Sequence, residues 1–114
     1  MIQHLVQQHN IFLKYNMTYT IEEIKNKAIP IAKKHRVRSL GLFGSYARNE
    51  QNENSDIDFL IVASDKMGLF EFVEFYQELE KVFNCHVDVV TSGIEDKDFL
   101  SKIEKDRKLL YEQQ

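Results

Sequence analysis

Three aspartates on two short apolar runs are the residues of this chain best placed to do chemistry. Asp56 and Asp58 open a run in which Ile57, Phe59 and Ile61 alternate with Asp58, Leu60 and Val62. Alternation with period two marks a strand, so the two carboxylates share a face. Like charges at neighbouring same-face positions repel, and a cation between them removes the conflict. Magnesium suits the donor set, because hard divalent ions take carboxylates together with water and substrate phosphates. Asp88, in His86-Val87-Asp88-Val89-Val90, interrupts a second β-branched run where an unpaired carboxylate would be costly. It is the candidate third acid, serving a second ion or acting as a base.

Ten residues before Asp56, the apolar run Ser39-Leu40-Gly41-Leu42-Phe43 ends in Gly44-Ser45. Gly44 is expected to let the backbone approach a phosphate, and Ser45 to add a hydroxyl. The turn after them is expected to start a short helix whose amides face the β- and γ-phosphates. Arg48, about one turn further on, either neutralises phosphate charge or meets the acceptor, or is an exposed structural arginine. Taken singly these signals are ordinary: Gly-Ser is a common turn, and Asp-x-Asp occurs in calcium loops. An EF-hand is excluded because Phe59, Leu60 and Ile61 follow Asp58, and no Gly-Lys-Ser/Thr phosphate loop is present. Only the conjunction of turn, paired acids and later acid is specific, and the chemistry it implies is nucleotidyl transfer.

The elements that must position these residues are legible from periodicity. Thr20-Ile21-Glu22-Glu23 is a capping box opening a helix with Ile21, Ile24, Ala28 and Ile31 at helical spacing. Pro30 is expected to kink or split that helix. A crossover helix over residues 69–83 carries Leu69, Phe72, Val73, Tyr76, Leu79 and Phe83 on one stripe, which leaves Phe70 and Phe75 at the core edge or on the surface. A further helix near residues 95–105 and a final edge strand over 108–112 complete an α/β (α+β) domain with a small mixed sheet flanked by helices. The domain is expected to span 17–114. Residues 1–16 read as an N-terminal extension in which Ile2, Leu5, Val6, Phe12 and Leu13 permit a short amphipathic helix.

Composition narrows the classes. The chain has 114 residues, 43% of them hydrophobic and 29% charged, which fits one compact domain. A single cysteine, Cys85, and no cationic start followed by a long apolar run point to an intracellular, cytoplasmic protein with an inert thiol. No apolar stretch approaches the ~20 residues needed to span a bilayer. A net charge of -3 gives no electrostatic footprint for nucleic acid. The lysines and arginines between Lys25 and Arg38, and the glutamates Glu71, Glu74, Glu78 and Glu80, read as solvated helix faces. The histidines at 4, 9, 35 and 86 are not spaced as a zinc site. His86 would share a strand face with Asp88, although a packed or surface histidine is the commoner case.

Taken together, Leu42-Phe43-Gly44-Ser45-Tyr46-Ala47-Arg48, Ser55-Asp56-Ile57-Asp58 and Val87-Asp88-Val89-Val90-Thr91 resemble the nucleotidyltransferase superfamily of the DNA polymerase beta type. The chain from about Tyr19 onward resembles its smallest branch, the minimal nucleotidyltransferases (MntA-like) that act as antitoxins to HEPN-domain toxins. The resemblance implies a polymerase beta-like fold, ATP as substrate, magnesium ions on Asp56, Asp58 and Asp88, and Gly44, Ser45 and Arg48 at the nucleotide. It further implies transfer of AMP to a hydroxyl, expected to be a tyrosine, of a cognate HEPN toxin, in a type VII toxin–antitoxin pair forming a hetero-oligomer. The family usually has glycine where this chain has Asn49, and asparagine is among the residues that best tolerate a left-handed backbone. With the sheet and helices counted, the chain has no residues left for an acceptor-binding domain, so the acceptor is expected on another molecule. Two other readings stay open: a binding module that neutralises the toxin by occlusion, and transfer to a small-molecule hydroxyl.

Overall fold

A computed structural model describes residues 18–93 and 96–114. The expected extension at residues 1–16 lies outside them. The order of elements is α1 (Ile21–Lys34), β1 (Ser39–Phe43), α2 (Gly44–Ala47), β2 (Ile57–Val62), α3 (Leu69–Phe83), β3 (Val87–Thr91), α4 (Lys97–Asp106) and β4 (Lys108–Glu112). The strands form one mixed sheet in the order β3-β2-β1-β4. β1 pairs antiparallel with both β2 and β4, while β2 and β3 run parallel across the crossover helix α3. β4 is an edge strand, as its sequence predicts. No helix among the described residues is long and apolar enough to cross a membrane.

The alternation in the strands sorts their two faces. Leu40, Leu42, Ile57, Phe59, Ile61 and Val87 are fully buried in one cluster with Ile24, Ala28 and Ala32 of α1 and Phe75, Leu79 and Phe83 of α3. The helices α1 and α3 pack against each other and over this face of the sheet. The opposite face is covered more sparsely. Gly41, between the inward Leu40 and Leu42, turns towards the side chain of Arg107, the residue that ends α4, and α4 packs against β1 and α2. Asp58 and Asp88 alternate with Ile57, Phe59, Val87 and Val89, so both carboxylates belong to this second, more open face.

The capping box at Thr20 is present in full: its hydroxyl accepts from Glu23 N at 3.1 Å, and the Glu23 carboxylate accepts from Thr20 N at 2.9 Å. Pro30 does not split the helix, which runs as a single element to Lys34. A proline removes one intrahelical donor, and burial of Ala28 and Ala32 on either side of it holds the helix to the core.

The stripe on α3 is rotated from its expected position. Phe75 is fully buried, whereas Leu69 is 74% exposed and Val73 is 43% exposed; Phe70 is 90% exposed. Phe72, Phe75, Tyr76, Leu79 and Phe83 form an equally good helical stripe, and packing against α1 selects it. The Phe75 ring meets the buried His35 at the end of α1 edge-on, with centroids 5.7 Å apart. The expectation that Leu69 and Val73 belong to the core and Phe75 to its margin is therefore corrected. Truncation separates the two faces: Phe75→Ala should cost about 3–5 kcal/mol, and Phe70→Ala about 0.5 kcal/mol or less, in urea unfolding followed by circular dichroism.

Candidate active site

The parallel pairing of β2 and β3 sets two acids side by side, because its register places Asp58 opposite Asp88. Two carboxylates held this close disfavour each other's ionised form, so one of them keeps its proton to higher pH. Burial, hydrogen bonding with Asp88 and the charges of Asp88 and Asp56 push the Asp58 carboxyl up to about 7, with His86 acting in the opposite direction. Asp56 stands exposed just before the strand. Donor atoms of Asp56, His86 and Asp88 lie within 4.8 Å of one another. Oxygen-rich donors converging from two strands, with a proton held where positive charge is lacking, are a set that fits a divalent cation.

Gly44 closes this cluster on the side of β1. Its φ is +71°, and a Cβ there would lie 2.2 Å from Asp58 Oδ2, so a larger residue would be both strained and in collision. The sequence predicts this glycine for approach of a phosphate; the contact in the structure is with the Asp58 carboxylate. Helix α2 begins at Gly44, and Phe43 supplies no side-chain cap. The first amides of any helix lack intrahelical acceptors, so those of this turn are left for solvent or ligand. Ser45 is the second residue of α2 and half-buried. Tyr46 and Ala47 are buried and fix the turn to the core, the Tyr46 hydroxyl accepting from Tyr19 N at 3.3 Å.

Arg48 ends α2, and its guanidinium is held by two acids that the sequence did not single out, Glu50 at 3.2 Å and Asp106 at 3.4 Å. The contact with Asp106 ties the turn to the end of α4. Asn49 has φ 59°, the left-handed conformation that its departure from glycine requires. On the other side of the site, His86 Nε2 is 3.2 Å from Asp88 Oδ1, and its Nδ1 is 3.6 Å from Glu80 Oε2. The histidine is half-exposed, as the commoner reading had it, yet it stands against an acid of the site. Glu80 left no signal in the sequence beyond its place in the last turn of α3. Tyr76 donates from its hydroxyl to Val87 O and so pins α3 to the start of β3, next to Asp88.

The raised Asp58 carboxyl fixes a pH dependence. In the unfolded chain this acid ionises near its ordinary value of 3.8, so between that value and about 7 the metal-free folded protein holds a proton that the unfolded chain has lost. Its contribution to stability is complete below the lower value and lost as pH rises through the upper one. A divalent ion competes for the same oxygens and binds better as the proton leaves. Scanning calorimetry with millimolar magnesium should therefore show a larger rise in Tm at about pH 8 than at about pH 6. Gly44→Ala should remove that rise and lower stability by about 1–3 kcal/mol. Gly68→Ala, where an added Cβ meets nothing within 4 Å, should keep it.

Comparison with known proteins agrees with this geometry. Residues 26–114 match the family model for Polymerase beta, Nucleotidyltransferase. A provisionally named protein adenylyltransferase of Methanocaldococcus jannaschii is 51% identical over 71 residues, covering 62% of this chain and 76% of that protein. The protein adenylyltransferase MntA of Thermococcus cleftensis is 37% identical over 75 residues, 62% of this chain and 76% of its own. Among solved structures, a toxin–antitoxin crystal structure with AMP-PNP superposes with a TM-score of 0.68 at 27% identity, covering 79% of this chain and 74% of that one. A minimal nucleotidyltransferase structure, at TM-score 0.65 and 23% identity, shares the fold over 79% of this chain and 95% of its own. With residues 26–114, most of its length, matched by that family model, the chain belongs to the polymerase beta nucleotidyltransferase family.

Proposed function

We propose that the protein is an antitoxin that transfers AMP from ATP, with magnesium, to a tyrosine hydroxyl of a cognate HEPN-type toxin. The observation that carries the catalytic part is that Asp58 stands opposite Asp88 and against the Gly44 turn, while donor atoms of Asp56 and Asp88 lie within 4.8 Å of each other. The acceptor is inferred from relatives: two of those above are named as protein adenylyltransferases, and one structural neighbour at 27% identity is a toxin–antitoxin complex with AMP-PNP. A further neighbour is a tri-AMPylated HEPN toxin of Shewanella oneidensis in complex with its MNT antitoxin, to which this chain is similar in fold.

In this reading Asp56, Asp58 and Asp88 would hold the divalent ions, which when bound neutralise the triphosphate and make the acceptor hydroxyl more acidic. The residues of the chain do the positioning. Gly44, without a side chain, leaves the phosphates room beside Asp58, and the first amides of α2 with the Ser45 hydroxyl are the donors nearest that turn. The Asp58 carboxyl, pushed up to about 7 by burial and its acidic neighbours, must lose its proton before it can take a cation. The acceptor oxygen then attacks the α-phosphorus, the bond from that phosphorus to the bridging oxygen breaks, pyrophosphate leaves, and the hydroxyl proton passes to solvent or to a carboxylate of the site. Arg48, held by Glu50 and Asp106, keeps the turn on α4.

Intact-mass spectrometry of a candidate HEPN-type partner, co-expressed with the wild-type chain, should show mass gains in units of AMP. The Asp56→Asn/Asp58→Asn double variant should reduce them by at least about a hundredfold. A partner that stays unmodified while forming a stable complex with the wild type would replace transfer with occlusion.

A further inference from the structure

The sequence predicts that His86 shares a strand face with Asp88, and the structure places each of its ring nitrogens beside a carboxylate. One ring nitrogen, Nδ1, stands 3.6 Å from the Glu80 carboxylate at the end of α3. The other, Nε2, stands 3.2 Å from Asp88 and within 4.8 Å of donor atoms of both Asp88 and Asp56. Histidines that bind metals commonly present one nitrogen to the ion while a carboxylate or carbonyl fixes the other, which sets the tautomer and the tilt of the ring. Glu80, His86 and the pair Asp56 and Asp88 form that sequence of contacts from a helix, a strand start and a loop. The ring is 56% exposed, so no packing requirement explains its position.

We propose that His86 Nε2 is a ligand of the ion held by Asp56 and Asp88, with Glu80 orienting the ring, and that this nitrogen makes the site favour manganese over magnesium. The reason lies in the donors. Magnesium accepts carboxylate and water oxygens but gains little from imidazole, whereas first-row transition ions gain from a nitrogen ligand, manganese least among them yet more than magnesium. Three carboxylates alone would leave the site to whichever hard ion is abundant; one imidazole at the rim biases the choice. The inference rests on the nucleotidyl-transfer reading of the acids but concerns only which ion they hold, so it can be tested without nucleotide or partner.

The test uses the full chain with manganous ion alone. Electron spin-echo envelope modulation of the bound ion should show coupling to nitrogen-14, replaced by nitrogen-15 coupling when the protein is grown with labelled histidine. His86→Gln keeps a hydrogen-bond donor for Asp88 and should abolish the nitrogen signal. It should also weaken manganese binding about tenfold while changing magnesium binding by less than about twofold, both read by calorimetric titration. Glu80→Gln should weaken manganese binding by a smaller factor with the nitrogen signal retained. Manganese bound without nitrogen coupling in the wild type, or equal losses for both ions in His86→Gln, would overturn the assignment and leave His86 as a hydrogen-bond partner of Asp88. Partner modification is measured separately with each ion: a nitrogen signal without any modification counts against the transfer reading alone, and modification without the signal counts against the ligand assignment alone.

Discussion

Everything at the open face of this sheet depends on an unfavourable arrangement, the placement of Asp58 directly opposite Asp88 on adjacent parallel strands. The strain is electrostatic and has one internal remedy, a proton retained to about 7. A cation is the other remedy, and it alone leaves the acids ionised. The surrounding structure keeps the carboxylates from relaxing apart. Ile57 and Phe59 on one strand, and Val87 on the other, are buried on the far face and fix the register from behind. Gly44, lacking a Cβ, lets the β1 turn come close to the Asp58 carboxylate, a position no other residue could take without collision. The fold thus holds the charge in place at the expense of its own stability, as preorganised sites do.

Much of this was legible in the sequence. The period-two alternation around Asp58 and Asp88 gave the strands, the capping box at Thr20 gave the start of α1, and Gly44-Ser45 marked the turn. What escaped was decided by tertiary packing. On α3, Phe72 and Tyr76 belong to two overlapping stripes, and only contact with α1 and His35 selects the one containing Phe75. The continuity of α1 through Pro30 likewise depends on neighbours, since local propensity predicts an interruption. Asp106 reaches Arg48 from a distant part of the chain, the end of α4, and Glu80 meets His86 only because the chain turns back after α3. Such pairs leave no periodic trace.

Asn49 shows the limit of reading a departure from a family pattern as a defect. Glycine is usual there because the backbone turns left-handed, and the asparagine adopts that conformation with φ 59°. Arg36 and Asn84 are also left-handed, each just after a helix, so this chain closes three helical segments without glycine at the left-handed position. Each such residue costs roughly a kcal/mol relative to glycine, and each reduces the freedom of the unfolded chain.

The connectivity of the sheet has a kinetic corollary. β1, the Gly44 turn and β2 form an antiparallel pair close in sequence, so Gly44 can meet Asp58 after closure of a short loop, at low entropic cost. Asp88 arrives only when α3 has formed and carried the chain back to lay β3 parallel to β2, a slower kind of pairing. A chain emerging from synthesis would therefore acquire its Gly44 turn before its third acid, and full charge density at the site would develop only when β3 docks on β2.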